Sequence, residues 1–402
     1  MRARLARVLL LLLALLAGAG GAARAQEGVA HGDFPQVAGE IDMGLYTTAP
    51  WRSPDRARSG SSTFLFGEIA GGLYISPTVS IQAVIHVEPA AEQVPNGTDT
   101  FLRHQGAYFE NLLMDWRPTE RLRLFGGKFS APFGYGHHAF PGVLPLVRAH
   151  EVYLITESVG AGATYTWLSD AVWGEHDVSA ALFTFDTSPL SRFAFTHQRC
   201  CREGFEHYRR NVLHQGGAGN NGNLDSFALA LDGDRIGWLP DFTYHLAVLS
   251  RGPGKGGTRR EWAWAAGARY EARWTRDVST LFFGEYVEFR NAGGRPIVAA
   301  AAEEESAGGA ETPLSETRRF STLGAQTRWG PWRATLAWQR DERKRSVNTL
   351  PTEQYLEVSA GRALIWGFGL DIGYQHARLA REDGTAGRSD AFISRLGFRR
   401  SF

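Results

Sequence analysis

Apolar and polar residues alternate along much of this chain. From Thr78 to Glu88, Val79, Ile81, Ala83, Ile85 and Val87 fall on one face, and Ser80, Gln82, His86 and Glu88 fall on the other. Side chains of a β-strand switch faces at every residue, so such a segment is a ribbon with one oily and one wet side. Phe242, Tyr244, Leu246 and Val248 alternate in the same way with Thr243 and His245. Leu356, Val358 and Ala360 alternate with Tyr355, Glu357 and Ser359, and Phe368, Leu370, Ile372 and Tyr374 with Asp371 and Gln375. The period of two recurs in segments of about ten residues, the length that a tilted membrane-crossing strand requires.

Two kinds of connection separate the segments. Short corners lie at Ser76-Pro77-Thr78, Arg117-Pro118-Thr119-Glu120, Ser169 to Gly174, Ile236 to Asp241, Arg276-Asp277, Gly330-Pro331 and Leu364 to Gly367. Longer polar loops lie between them, near residues 47–61, 89–103, 130–154, 188–222, 251–259, 291–316, 342–351 and 380–389. Seven short corners alternating with eight long loops predict sixteen strands, the first at about residues 38–46, with both termini on the short-corner side.

The tryptophans share that side. Trp116, Trp167, Trp173, Trp238, Trp274, Trp329, Trp332 and Trp366 are eight of the twelve in the chain, and each lies within a few residues of a short corner; Tyr74 takes the place at the first corner. One such tryptophan is ordinarily a local core anchor. A set of them at one end of successive hairpins has another physical reason: indole is flat, bulky and polar at one edge, and it prefers the layer where oil meets water. The arrangement predicts an all-β transmembrane antiparallel barrel with short periplasmic turns, long outward loops and an aromatic girdle.

The ends of the chain agree. Arg2, Arg4 and Arg7 precede an apolar run from Val8 to Ala17, and Ala23-Arg24-Ala25 offers small residues for cleavage, so residues 1–25 are read as a secretory signal peptide. Residues 26–37 are then expected to be a short periplasmic segment and residues 38–402 the barrel. At the other end Phe392, Leu396, Phe398 and the terminal Phe402 share one parity, which resembles the C-terminal strand signal of outer-membrane proteins. No later stretch is apolar enough to cross a bilayer as a helix. Without the signal, 43 basic and 42 acidic residues become 39 and 42, a net charge near −3 that argues against nucleic acid as a partner.

The segments YISPTVSIQAVIHVEP, FENLLMDWRPTERLRLF, GGKFSAPFG and TFDTSPLS, all in the first half of the chain, resemble the outer-membrane porin superfamily that includes the phosphate-selective (O/P-type) porins. The strand-turn-strand that ends in GKFSAPFG is the most specific part. The resemblance implies a general or substrate-selective diffusion channel, commonly trimeric, seated in outer-membrane lipid and lipopolysaccharide and passing small hydrophilic solutes or ions. It leaves the sign of selectivity open, anion preference included. In porins of this size the third outward loop commonly folds into the lumen, which makes Lys128, His137, His138, Arg148, His150 and Glu151 the candidates for a constriction. The bland alternative for them is ordinary solvated loop residues.

Parity assigns candidates for the lumen wall. Arg121 and Arg123 oppose Leu122 and Leu124; Arg269, Glu271 and Arg273 oppose Trp262, Trp264 and Tyr270; Arg395 and Arg399 oppose Leu396 and Phe398. Glu68, Glu88, Glu357 and Asp371 also fall on wet faces. Charges of both signs inside imply a transverse field and modest selectivity. Lys128 breaks the parity of its strand, so a bulge or a strand end is expected beside it.

Other motifs carry less. Cys200-Cys201, with His197 and His207 near, matches no zinc spacing, and a vicinal disulfide or two thiols is the plainer reading. GPGKGGT at residues 252–258 lacks the phosphate-loop pattern, and Asn96-Gly97-Thr98 fits a glycosylation pattern only as short patterns do by chance. No serine nucleophile in G-x-S-x-G surroundings and no HExxH occurs, so no catalytic residue, metal or other cofactor is expected. The rival readings are an outer-membrane enzyme of the lipid hydrolase type and a surface adhesin on a barrel scaffold.

Overall fold

A computed structural model describes residues 33–54, 56, 59–90, 97–135, 139–143, 152–196, 209–213, 217–255, 259–294, 315–346, 350–381 and 384–402. The signal peptide assigned to residues 1–25 lies outside them, as do Cys200, Cys201, His197 and His207, Asn96, and the end of the 252–258 segment.

The strands are β1 (Gln36–Arg52), β2 (Ser62–Tyr74), β3 (Val79–Pro89), β4 (Thr100–Phe101), β5 (Gln105–Thr119), β6 (Leu122–Phe129), β7 (Ser158–Asp170), β8 (Gly174–Phe185) and β9 (Phe195–Thr196). They continue as β10 (Ser226–Asp234), β11 (Phe242–Arg251), β12 (Glu261–Arg273), β13 (Val278–Arg290), β14 (Glu316–Trp329), β15 (Trp332–Arg345), β16 (Glu353–Ala363), β17 (Phe368–Ala380) and β18 (Ala386–Ser401). Two of them, β4 and β9, are two-residue pieces at the rim: β4 pairs parallel with β2, and β9 pairs with Gly106 and Ala107 of β5. The other sixteen form one antiparallel wall of successive hairpins, closed by pairing of β1 with β18 from Glu40↔Ser401 to Arg52↔Asp390. Closure matters because a strand edge left open in lipid would expose backbone groups at several kcal/mol each. Strand β1 begins at Gln36, two residues before the span expected from the pattern, and runs on to Arg52.

The seven short connections fall where the corners were read, and the tryptophans beside them point outward. All eight are at least 40% exposed, Trp366 most of all at 80%. Leu182, Val358, Leu323 and Ile372 are exposed on the same outer surface, while Ser80, Glu357, Thr322 and Gln375 are buried on the inner one. This inversion of the soluble pattern is what lipid outside and water or packed protein inside require.

Closure needs one close approach. Phe402 and Gly39 exchange backbone hydrogen bonds, at 3.0 and 2.9 Å. A Cβ on Gly39 would stand 2.5 Å from Cζ of the Phe402 ring, so only glycine leaves room for the terminal aromatic there.

Candidate pore constriction

After β6 the chain turns inward. Residues 130–135 and 139–143 form a strap that crosses the lumen, and 152–157 return to β7; Ala131 N–H donates to the Ile155 carbonyl at 2.8 Å and ties the two arms together at their base. The strap is apolar. Phe129, Ala131, Phe133, Ala139, Phe140, Tyr153 and Ile155 pack in one cluster with Ala181 and Phe183 of β8, Ala228 and Ala230 of β10, Ala247 and Leu249 of β11, Ala263 and Ala265 of β12, Phe283, Val287 and Phe289 of β13, Phe320 of β14 and Ala337 of β15. These wall residues lie on the inward parity of their strands. Inward positions of these seven strands therefore pack against the strap rather than forming the uniformly polar surface that the alternation predicts.

Polar groups hold the strap at fixed points along the wall. Gly134 N–H donates to Nε2 of His245 at 3.0 Å, and Nδ1 of the same ring lies 2.7 Å from Oδ1 of Asp232. Nε2 thus accepts, and the Nδ1 proton faces the carboxylate. Glu285 receives two bonds from the strap, from Tyr135 N–H and from the Tyr153 hydroxyl, each at 2.7 Å. The Tyr135 hydroxyl meets Thr243 at 2.7 Å. Tyr135 passes over Gly267, where a Cβ would stand 2.5 Å from its ring. On the far side Val143 N–H donates to Glu357 at 2.7 Å, and Val143 packs against Tyr46, Phe64, Phe66 and Ile393. The strap therefore spans from β6 to β16, secured by buried charge-assisted bonds of the stronger kind.

Toward the short turns lies a cavity of about 550 Å³, lined on the strap side by Ala139, Phe140, Pro141 and Gly142. Its charged lining comprises Arg269, Arg328, Arg333, Arg395 and Arg399 against Asp42, Glu68 and Asp371. Three of the arginines are matched. Arg333 grips Asp371 with two bonds of 2.6 Å, Arg395 pairs with Asp42 at 2.7 Å, and Arg399 with Glu40 at 2.7 Å. Among the described residues, Arg269 and Arg328 have no carboxylate within ion-pair distance; Arg328 donates only to Gln326, at 2.9 Å.

The sequence candidates divide accordingly. Of the wall set, Arg269, Arg395, Arg399, Glu68 and Asp371 line this cavity, and Glu357 is spent on the strap. Arg123 pairs with Asp115 and sets its guanidinium over the Phe125 ring, Glu271 accepts from Ser279 at 2.8 Å, and Arg273 pairs with Asp241 at 2.5 Å. Glu88 is buried beside His86. Arg121 is corrected: it sits in the β5–β6 turn, exposed, rather than on a strand wall, because the pairing of these strands ends at Thr119↔Leu122.

Of the constriction set, Lys128 is also corrected. It is 2% exposed, with Nζ 2.8 Å from Asp186 and 3.3 Å from Glu157 and a bond to the Leu190 carbonyl, so its charge is neutralised inside the wall and does not meet solvent in the passage. Its strand ends one residue later, as the broken parity anticipates. His137, His138, Arg148, His150 and Glu151 lie outside the described residues.

Arg328 and Arg333 escaped the sequence reading, although they flank the Gly330-Pro331 corner on inward parity. His245 and Glu285, the strap's anchors, sat in plain alternating strands with nothing to mark them.

The sequence matches no family model and no curated protein. Solved structures share the architecture. The outer membrane channel DcaP of Acinetobacter baumannii superposes with a TM-score of 0.52 at 8% identity, over 91% of this chain and 96% of that one. OccAB1 of Acinetobacter baumannii gives 0.51 at 10% identity, over 94% and 100%. An anion-selective porin from Comamonas acidovorans gives 0.50 at 10% identity, over 91% and 99%. At such identities the likeness is one of fold: a sixteen-stranded barrel of the outer-membrane kind.

Proposed function

We propose that this chain is an outer-membrane diffusion channel for small hydrophilic solutes, with a preference for anions. The observation that carries the reading is a cavity under an inward strap, lined by two arginines, Arg269 and Arg328, that have no carboxylate within ion-pair distance among the described residues. A barrel of sixteen strands is wide enough for an aqueous channel. The strap narrows it, and uncompensated charge at the narrow zone sets which ions dwell there. Matched pairs such as Arg333 with Asp371 contribute a local dipole and little net field. The architecture shared with known channels supports the reading, as does the resemblance of the first-half motifs to porins. On that resemblance we also propose export by residues 1–25, residence in lipopolysaccharide-bearing membrane and assembly as a homotrimer.

The test is reconstitution of the mature protein into planar bilayers with a salt gradient. Discrete conductance steps and a reversal potential of anion-selective sign are expected. Arg269→Gln and Arg328→Gln should each move that potential toward the cation-selective side, and the double variant should move it further, while step frequency is unchanged. An absence of steps, combined with hydrolysis of lipid abolished by one serine or histidine substitution, would establish the enzyme reading instead. Cell binding without conductance would establish the adhesin.

A further inference from the structure

On the inner face of β2, β3 and β5, away from the strap's anchors, one imidazole is enclosed by three carboxylates. Register places Glu68 opposite His86 and His86 opposite Tyr108. The β3–β5 register shifts between Val84 and Ile85, so that Asn111 and Phe109 pair on either side of an extra residue, Glu110. That bulge brings the Glu110 carboxylate to the same point, a re-aiming that bulges commonly perform. Nδ1 of His86 lies 3.7 Å from Oε1 of Glu68 and 3.3 Å from Oε2 of Glu110, and the three donor atoms all fall within 4.8 Å of one another. The other ring nitrogen, Nε2, faces Glu88 at 3.5 Å. His86 is fully buried, and Glu68, Glu88 and Glu110 are each less than a tenth exposed. Phe66 meets the imidazole edge-on at 4.7 Å, and Tyr108 closes the other side at 5.8 Å.

We propose that Glu68, His86 and Glu110 bind one divalent cation of the first transition row, zinc being the simplest probe. Donors on a common zinc ion lie about 2.0–2.2 Å from it, which puts neighbouring donors roughly 3.4 Å apart at tetrahedral angles. The observed 3.3 and 3.7 Å bracket that spacing. An imidazole nitrogen with two carboxylates suits a transition ion better than calcium or magnesium, which favour oxygen alone. Glu88 stands where a second carboxylate orients a metal-bound histidine through its remote nitrogen. Glu68 also lines the open cavity, which gives an ion a route from the passage. The bound ion would pin β5 to β2 and β3 at the bulge.

The experiment uses the full mature chain, refolded in detergent with chelator, dialysed, and titrated with Zn²⁺ and Co²⁺. One equivalent per chain is expected, with a cobalt spectrum of nitrogen and oxygen ligation that lacks a thiolate charge-transfer band. Added zinc should raise the thermal midpoint. Glu68→Gln and Glu110→Gln, which keep size and shape, should abolish the stoichiometric binding, and Glu88→Gln should weaken it 10–100-fold. His376→Ala, a rim histidine paired with Asp390, should leave it unchanged. No saturable binding by the wild-type chain, undiminished binding in both Gln variants, or a thiolate band implicating Cys200 and Cys201 would each overturn the proposal.

Discussion

Glu157 is pushed up to about 7, first by burial, which disfavours its charged form; the Lys128 ammonium opposes that shift and the Asp186 carboxylate adds to it. The group lies just outside β7, at the foot of the strap. Its folded-state value stands above the ordinary carboxylate value of about 4.3. The stability it contributes is thus complete below that lower value and is lost as pH rises through about 7. Chemical denaturation in detergent should show the wild-type midpoint falling across this window, whereas Glu157→Gln should be flatter; a fall of the same size in both would contradict this account. The neighbouring Lys128 was partly legible beforehand, since its break of parity announced a strand end. Its partners were not, because Asp186 lies 58 positions away in sequence and alternation says nothing about which loop folds over a strand.

At the scale of elements, the strap and the wall beneath it were designed for one another in a way the sequence half discloses. The β13 segment VSTLFFGEYVEF puts Phe283, Val287 and Phe289 on the same parity as Glu285, and alanines occupy inward positions at 228, 230, 247, 263, 265 and 337. Apolar residues on both faces of a strand mean that something covers the inner face, which is a signal that a search for clean alternation passes over. The polar anchors convert that dry contact into a fixed position. Replacing Glu285 by alanine removes the acceptor of both the Tyr135 amide and the Tyr153 hydroxyl, and leaving buried donors unmet costs about 1–3 kcal/mol each. Single-channel records of Glu285→Ala should therefore show larger and noisier steps than the wild type. Steps of unaltered size and noise would mean that the apolar contact alone holds the strap.

At the scale of the molecule, the order of strands, the seven tight turns and the girdle could be read directly, because lipid imposes a period of two and a preference for indole at the interface that survive in one sequence. The passage could not be read so directly, because its shape depends on contacts between residues far apart in sequence, such as Tyr135 with Glu285 and Val143 with Glu357. Closure is the remaining global property. Phe402 reaches β1 through paired bonds with Gly39, and a side chain at position 39 would collide with its ring. Gly39→Val should slow refolding into vesicles, seen as delayed appearance of the compact band on unheated gels. Refolding at the wild-type rate would show that the terminal ring can settle elsewhere.

The alanine-rich inner wall makes the plug and the cylinder inseparable as parts. Excising the strap would not widen the bore into a larger aqueous duct, because the uncovered wall would present methyl and phenyl groups to a column of water that such surfaces tend to expel. An attempt to enlarge this conduit would have to recast the lining of β8 and β10–β15 along with the insert.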